Sequence, residues 1–127
     1  MTPAELKFTK THEWVKIENS TAIVGITDYA QKSLGDLTFV ELPETGKKVI
    51  KGQSCCVIES VKAASDIFTP ISGEIAEVNT ELESHPELIN SDPYKKAWLV
   101  KIKNFSADDL KDLMNAKDYD SFAESQA

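Results

Sequence analysis

The chain has 127 residues, and its 14 basic residues, all of them Lys, stand against 21 acidic residues for a net charge of −7. This length suits a single domain over residues 1–127, because two domains would each have too little chain to bury a core. An acidic chain without Arg lacks the guanidinium groups that read phosphates and is repelled by anionic lipid. We therefore expect neither nucleic acid nor a membrane as a partner.

The amino-terminal segment, MTPAELKFTKTHEW, has neither the apolar core of a signal peptide nor an Arg- and Ser-rich amphipathic run. No apolar stretch of the sequence approaches the length of a membrane-spanning helix. From this composition we expect a cytoplasmic protein.

The first third of the chain predicts two strands and one short helix. Alternating apolar residues predict strands over 13–17 and 21–26, with a polar turn between them. Thr27 has a side chain suited to capping a helix, and Gly35 is placed to end that helix.

The middle of the chain predicts a β-hairpin. Residues 53–59 and 64–68 have extended character, so Lys62 lies near the hairpin tip. Cys55 and Cys56 are neighbours on the first strand, where their side chains would point to opposite faces and would not pair. We interpret both as free, buried or half-buried thiols. A Cys–His nucleophile pair is the alternative, and it has no motif behind it.

The region after the hairpin predicts a helical turn and a further strand. Residues 85–89 are typical of one helical turn with Pro86 at its first position. Residues 98–102 alternate as a half-buried strand. The fold class is therefore mainly β, with short helices around the sheets.

The carboxyl terminus predicts two short helices over about residues 106–123. Ser106 is placed to cap the first of them, and Asn115 is placed to cap the second. Residues 124–127 are expected to fray.

Lys62 is the residue whose position suggests chemistry. Its amine, joined to a cofactor's carboxyl group, would form a long flexible tether at a point that a modifying enzyme reaches without unfolding the hairpin. From position alone, a solvated turn lysine is the more ordinary interpretation, since surface lysines are common.

Other side chains do not form a reactive group. His12 and His85 have no metal-ligand spacing, so we predict no metal, and we predict no catalytic residue. Trp14 and Trp98 lie in alternating runs, which favours core packing over a role in recognition.

Several segments follow the order and spacing of one known family. ESVKA and PISGEI include and follow Lys62, and the other matching segments are HEWV, GITDYAQ, FVELP, LIN and PYKKAWLVKI. Together they resemble the glycine cleavage system H protein family, within the biotinyl/lipoyl carrier superfamily, over roughly residues 5–120. Biotin carriers usually have Met-Lys-Met and 2-oxoacid dehydrogenase lipoyl domains Asp-Lys-Ala, which suit this sequence less well. One departure is Ala97, where family members usually have Gly before the Trp.

The resemblance implies a fold and a modification. The fold is a flattened barrel-like sandwich of two antiparallel sheets, the barrel-sandwich hybrid of lipoyl and biotinyl domains. The modification is lipoate in amide linkage to Lys62, attached by a lipoate ligase or octanoyltransferase that reads Glu59 and Gly73. A carboxylate would orient that enzyme and a Gly would admit its close approach. As ordinary residues, Glu59 would be a solvated strand residue and Gly73 a turn residue.

The resemblance also implies a carrier subunit rather than an enzyme. Lipoyl-Lys62 would take the aminomethyl group of glycine from the pyridoxal-phosphate glycine decarboxylase (P protein). It would pass that group to the tetrahydrofolate-dependent aminomethyltransferase (T protein) and be reoxidised by dihydrolipoyl dehydrogenase (L protein). A carrier that docks on three enzymes in turn has reason to be a monomer.

In this family the loaded arm folds back into a cleft on the protein. The matching positions are Thr11, Glu13, Asp66 and Thr69 on the polar side, with Ala30 and Leu34 as the apolar wall. Glu13 and Asp66 are otherwise ordinary strand-edge charges. Two other functions stay open: a lipoyl carrier or donor for another 2-oxoacid dehydrogenase complex, and an unmodified β-rich interaction module.

Overall fold

A computed structural model describes residues 2–126 as nine strands and four α-helices. The strands are β1 Lys7–Phe8, β2 Glu13–Glu18, β3 Thr21–Ile26, β4 Leu37–Glu41, β5 Lys48–Val49, β6 Ser54–Ser60, β7 Ala64–Phe68, β8 Gly73–Val78 and β9 Val100–Lys103. The helices are α1 Asp28–Leu34, α2 Glu81–Ser84, α3 Leu88–Ser91 and α4 Ala116–Gln126.

The strands form two antiparallel sheets. The large sheet has six strands in the order β1-β2-β3-β9-β8-β5, and the small sheet has three in the order β4-β6-β7. The predicted fold class, a mainly β sandwich of two antiparallel sheets with short helices and a helical carboxyl end, is confirmed.

The main core lies between the two sheets. Val24, Ile75 and Ile102 contribute from the large sheet, and Val40 and Ile58 from the small one, and each is at most 1% exposed. Alternation along each strand sends these side chains to one face. Burial of each such side chain contributes about 1.5–3 kcal/mol, so this interface holds the two sheets together.

A second core lies under the carboxyl-terminal helix around Trp14. Its indole packs with Phe8 and Tyr119 and donates a hydrogen bond from Nε1 to the Pro93 carbonyl oxygen at 3.0 Å. Gly25 is its cross-strand partner, and a Cβ there would lie 2.5 Å from Trp14 Cε2, so a side chain has no room. The prediction that Trp14 is a core residue is confirmed.

Helix α1 forms as its caps predict. Thr27 Oγ1 accepts a hydrogen bond from the Ala30 N–H at 3.2 Å, and the Gly35 N–H donates to the Gln31 carbonyl at 3.0 Å. Gly35 has φ = +84°, a conformation that costs Gly little.

The helical turn predicted at Pro86 is shifted. Helix α3 begins at Leu88, so Pro86 lies before it rather than at its first position, and the unpredicted α2 ends just before His85. The ring of a proline disfavours helical geometry in the preceding residue. His85 accordingly has φ = −134° and ψ = 64°, which separates the two short helices.

The carboxyl-terminal prediction is partly wrong. Ser106 caps only a 3₁₀ turn, Ala107–Leu110, because Met114 then exchanges two 2.8 Å backbone hydrogen bonds with Phe8 and leaves helical geometry. Asn115 caps α4 as predicted, since its Oδ1 accepts from the Asp118 N–H at 2.8 Å.

Helix α4 extends past residue 123, where the sequence pattern ended it, and fraying of residues 124–126 stays a prediction. The helix continues to Gln126, because Phe122 and Ala123 pack against the second core and hold its last turns. Ala127 lies outside the described residues. None of the helices described within residues 2–126 has the length and apolarity to cross a membrane.

Candidate carrier lysine and cargo cavity

The hairpin of β6 and β7 presents Lys62 at its tip, as predicted. The strands pair up to Glu59 and Ala64, and Ser60 closes the turn. The Ser60 N–H donates to the Ala63 carbonyl at 2.7 Å, and the Ala63 N–H donates to Ser60 Oγ at 3.2 Å. The turn is therefore fixed by Ser60, through its backbone N–H and its hydroxyl, while the side chain of Lys62 stays exposed.

The Lys62 side chain leans toward the end of α1. Its Cε lies 3.8 Å from the position that a Cβ on Gly35 would occupy, and the neighbouring Val61 N–H donates to the Asp36 carbonyl at 3.4 Å. Within residues 2–126, no carboxylate forms an ion pair with the Lys62 amine. The amine is available for acylation.

A partly buried amide network supports this end of α1. Asn90 Nδ2 donates to Gln31 Oε1 and to the Gly35 carbonyl, both at 2.9 Å, and Asn90 Oδ1 accepts from the Leu37 N–H at 3.1 Å. One side chain thus joins α1, the turn after it and β4. We define Asn90, Gln31, Gly35 and Leu37 as the tip platform. Sequence reasoning missed Asn90 as a site residue, although it lies in the quoted LIN segment.

The two predicted recognition residues differ in setting. Glu59 is exposed and stands opposite Phe39 and Ala64 on the outer face of the small sheet. Gly73 begins β8 in the large sheet, where a Cβ would lie 2.5 Å from Ile102 Cγ2 and 2.6 Å from the Lys103 carbonyl oxygen. Packing against β9 is therefore sufficient to require glycine at this position.

A cavity of about 390 Å³ brings together three of the six predicted cleft residues, Thr11, Glu13 and Thr69. Phe68 also lines it, and the far wall consists of the segment 112–114, which sequence reasoning missed. That wall is held in place because Lys51 Nζ donates to Asp112 Oδ1 and to the Asp109 carbonyl, both at 2.6 Å. No local sequence signal links these positions, because only the folded chain brings them together.

Glu13 is the buried charge of this cavity and is only 1% exposed. Its Oε1 accepts from the hydroxyls of Thr9 at 2.6 Å and Thr11 at 2.5 Å, and its Oε2 accepts from the Phe68 N–H at 3.3 Å. Burial raises the pKa of the Glu13 carboxyl, and the hydrogen bonds partly oppose that rise. Such a carboxylate gains more from an incoming cation than an exposed one does.

The other three predicted cleft residues lie outside the cavity. Ala30 and Leu34 are half-buried on α1 and pack against the main core. Asp66 is exposed on β7, and its Oδ1 accepts a hydrogen bond from Ser54 Oγ at 3.0 Å. Thr69, which does line the cavity, donates its hydroxyl hydrogen to the Ile71 carbonyl at 2.6 Å.

Helix α1 and strand β7 both connect the Lys62 tip with the neighbourhood of Glu13. At the tip, Gly35 ends α1 and Ala64 begins β7. At the other end, the Thr27 N–H donates at 3.0 Å to the carbonyl of His12, the chain neighbour of Glu13, and the Phe68 N–H donates to Glu13 Oε2. Seven helical residues span about 10 Å and five extended residues about 15 Å.

Tyr119 on α4 contacts the segments next to the cavity through its hydroxyl group. Its hydroxyl lies 2.7 Å from His12 Nδ1 and 2.7 Å from Thr27 Oγ1. Burial raises the pKa of Tyr119 to about 12, so this phenol keeps its proton at neutral pH. Burial lowers the pKa of His12, which favours the neutral ring.

The two cysteines are free and buried, as predicted, but they do not point to opposite faces. Their Sγ atoms lie 3.7 Å apart, because the β6–β7 register shifts between Ser54 and Cys56 and a bulge turns both side chains inward. Within the part of the chain that the structure describes, no group of three or more His, Cys, Asp or Glu could hold a metal ion.

A lysine at an exposed hairpin tip, in the smaller sheet of a two-sheet sandwich, is the arrangement of a carrier domain that holds its cofactor on a side-chain tether. The fold and the site therefore define a protein of the lipoyl/biotinyl carrier class. The chain belongs to the glycine cleavage H-protein family, whose sequence model matches residues 6–126.

Individual relatives agree over nearly the whole chain. It is 53% identical to the glycine cleavage system H protein of Aeromonas hydrophila over 98% of this chain and 97% of that one. It is 51% identical to that of Thermus thermophilus over 98% of each. The crystal structure of a glycine cleavage system H protein from Mycobacterium marinum superimposes with a TM-score of 0.87 at 36% identity, covering 98% of this chain and 99% of that chain. The resemblance drawn from the sequence is confirmed.

Proposed function

We propose that this chain is the lipoyl carrier of the glycine cleavage system, with lipoate in amide linkage to Lys62. The observation that carries the proposal is the exposed Lys62 amine at the tip of a backbone-closed turn, in a chain that matches the H-protein family. An acylated lysine fits this position, because the Lys62 side chain is exposed and forms no ion pair with any residue between 2 and 126.

The lipoyl group, when bound, supplies the disulfide and dithiol chemistry by which the aminomethyl group is taken up and released. The chain's own residues position the tether and shelter its end. We assign no catalytic residue to the chain, so decarboxylation, transfer to tetrahydrofolate and reoxidation belong to the P, T and L proteins. Lipoate ligase or octanoyltransferase would attach the arm. A monomeric carrier in the cytoplasm stays a prediction.

The shelter we propose uses all six cleft residues in two roles. Glu13, Thr11 and Thr69 would receive the cargo in the cavity, where the Glu13 carboxylate meets the cationic amine. Ala30 and Leu34 on α1 and Asp66 on β7 would line the path of the tether, because both elements run between Lys62 and Glu13. The buried carboxylate is stabilised by that amine more strongly than it would be in water.

Intact-mass analysis of protein isolated from its native cells tests the attachment. We expect one lipoyl-amide increment on the peptide that contains Lys62 and none in Lys62→Arg, which keeps the charge but changes the nucleophile. Lys47→Arg, at an exposed position away from the tip, is the matched control and should leave the increment in place.

Glycine–bicarbonate exchange with purified P protein tests the system in which the carrier works. The lipoylated chain should stimulate exchange, and Lys62→Arg should give only the background rate. A lipoylated chain that gives no stimulation would assign the carrier to another complex. An unmodified chain in native cells would favour the interaction module.

A further inference from the structure

The side chain of Lys51 joins two sides of the cavity that Glu13 lines. Its Nζ donates to Asp112 Oδ1 and to the Asp109 carbonyl, both at 2.6 Å, and Lys51 and Asp112 both line the cavity. A fully exposed ion pair contributes little, because water screens the two charges. The Lys51 side chain, however, is only 31% exposed and has two acceptors on the facing segment, so this contact has more effect than an ordinary surface pair.

The backbone of Lys51 is held by a closed turn. The Gln53 N–H donates to the Ile50 carbonyl at 2.9 Å. The Gly52 N–H donates to the Thr69 carbonyl and the Thr69 N–H donates to the Gln53 carbonyl, both at 2.9 Å. Lys51 is therefore fixed on the side of the cavity that Thr69 forms, and its side chain reaches across to the other side.

The far wall of the cavity, residues 112–114, depends on contacts at its two ends. Met114 exchanges two 2.8 Å backbone hydrogen bonds with Phe8, and the half-buried Leu113 packs against the main core. Residues 111–113 belong to no helix or strand. The contacts of Lys51 with Asp109 and Asp112 therefore set how closely the first part of the far wall approaches the cavity.

We propose that Lys51 is a positioning residue for the cargo, and that its contacts with Asp109 and Asp112 keep the far wall closed over an aminomethyl group held by Glu13. The inference rests on the proposed function, in which this cavity receives the cargo. Lys51 acts through the far wall and does not contact the cargo. When its two hydrogen bonds break, the far wall moves outward at Asp112 and water reaches the cargo.

The charges in the cavity favour this indirect role. The cargo amine is cationic, so a free Lys51 ammonium in the same cavity would repel it. The hydrogen bond from Lys51 lowers the pKa of the Asp112 carboxyl, so the pair stays ionised at neutral pH. Glu13 forms no ion pair with any residue between 2 and 126, and its carboxylate is therefore available to the cargo amine.

Entry of water has a defined chemical result. Water supplies the oxygen that bonds to the methylene carbon of the cargo, while the C–N and C–S bonds of that carbon break. The products are ammonium, formaldehyde and the free thiol of the tethered group, and no oxidant or reductant takes part. Release of ammonia therefore measures how well the cavity excludes water.

The test loads the lipoylated carrier with glycine and P protein, removes the P protein and measures release of ammonia without T protein. Lys51→Met should release ammonia about fivefold faster than wild type, because it lacks two partly exposed hydrogen bonds from a charged group. Lys51→Arg keeps the charge and presents several donors, so its rate should stay near that of wild type. Lys111→Met is the matched control and should also leave the rate unchanged, because Lys111 pairs at 3.0 Å with Asp108 on its own segment.

Two further measurements separate positioning from a general loss of stability. Higher salt should speed release from wild type and leave Lys51→Met unchanged, because screening acts on the ion pair that this variant lacks. In the unmodified chain, hydrogen exchange in the peptide that contains residues 112–114 should be faster in Lys51→Met than in Lys111→Met. Exchange in strand β6 should be the same in both variants.

The outcomes separate the role of Lys51 from the proposed function. Wild-type carrier that cannot be loaded would overturn both. Loaded carrier from which Lys51→Met and Lys111→Met release ammonia at the same rate would overturn the role of Lys51 and leave the carrier function standing. Faster hydrogen exchange with an unchanged release rate would also overturn it, because the far wall would then move without exposing the cargo.

Discussion

The Lys62 tip and the Glu13 cavity hold opposite charges in opposite environments. The amine stands exposed on a turn that is closed by hydrogen bonds between Ser60 and Ala63, whereas the carboxylate is buried and accepts from two hydroxyls and a backbone N–H. In the function we propose, the attachment site must be reached by another protein, while the cargo site must exclude water. The difference indicates which residues act through accessibility and which act through packing.

The largest effect should come from Gly73→Ala, which tests whether glycine is needed at position 73 for recognition by the modifying enzyme or for packing in the large sheet. We expect a loss of about 3 kcal/mol in the free energy of unfolding, because the new methyl group would overlap Ile102 and the Lys103 carbonyl. Denaturant unfolding measures the loss. Ala76→Gly on the same strand should cost about 0.5–1 kcal/mol and serves as the control. A stable Gly73→Ala protein that cannot be acylated would show that Gly73 acts in recognition by the modifying enzyme.

Asn90→Ala should weaken the tip platform. Loss of three hydrogen bonds should lower the free energy of unfolding by about 2 kcal/mol and slow the acylation of Lys62. Asn79→Ala is the matched control. Asn79 Nδ2 donates to two backbone carbonyls at 2.8 Å remote from the hairpin, so this change should cost similar stability without slowing acylation. Equal acylation rates in the two variants would show that the tip platform does not affect acylation at Lys62.

Tyr119→Phe should destabilise the contact between α4 and the segments next to the cavity. Removal of the hydroxyl that bridges His12 and Thr27 should cost about 1 kcal/mol, measured by thermal unfolding, and leave acylation at Lys62 unchanged. The control is Tyr29→Phe, which keeps the ring that stacks on His12 at 4.4 Å. A slower acylation of Tyr119→Phe would mean that tip and cavity are coupled.

Glu13→Gln should have the smallest effect on stability and the most informative pH dependence. The folded wild-type protein holds the Glu13 proton to higher pH than the unfolded chain does, so its stability falls as pH rises from the ordinary pKa of 4.5 through the raised one. The variant lacks this loss and should gain up to about 1 kcal/mol relative to wild type at neutral pH. Unfolding curves at several pH values measure the gain.

The same variant should shelter cargo less well. Release of ammonia from the aminomethyl-loaded carrier would be faster in Glu13→Gln than in wild type, because the amide offers the cargo amine no charge. An unchanged release rate together with the stability gain would make Glu13 a structural residue.

Local sequence signals predicted the elements that depend on neighbouring residues. The Thr27 and Asn115 caps, the Gly35 helix end and the hairpin around Lys62 all form where the pattern placed them, since each depends on a few adjacent residues. The bulge that turns Cys55 and Cys56 to one side was not predicted. It depends on pairing with β7, which alternation along a single strand does not contain.

The residues of the candidate site also fall into those that the sequence predicted and those that only the folded structure identifies. Lys62, Thr11 and Glu13 were predicted through the family resemblance, and the motif that carries it surrounds Lys62. Asn90, Lys51 and Asp112 were missed, because their contacts join segments that lie far apart in the sequence. Only the packed chain identifies such supporting residues.

The inward turn of the two cysteines bears on the redox chemistry of a carrier. Their mutual contact and their burial raise the pKa of the Cys56 thiol, so almost no thiolate forms at neutral pH. Thiolates are the species that attack disulfides. With lipoate on Lys62, as we propose, the Cys56 thiol would thus form no mixed disulfide with the tethered group and would not compete with its reoxidation by the partner enzyme.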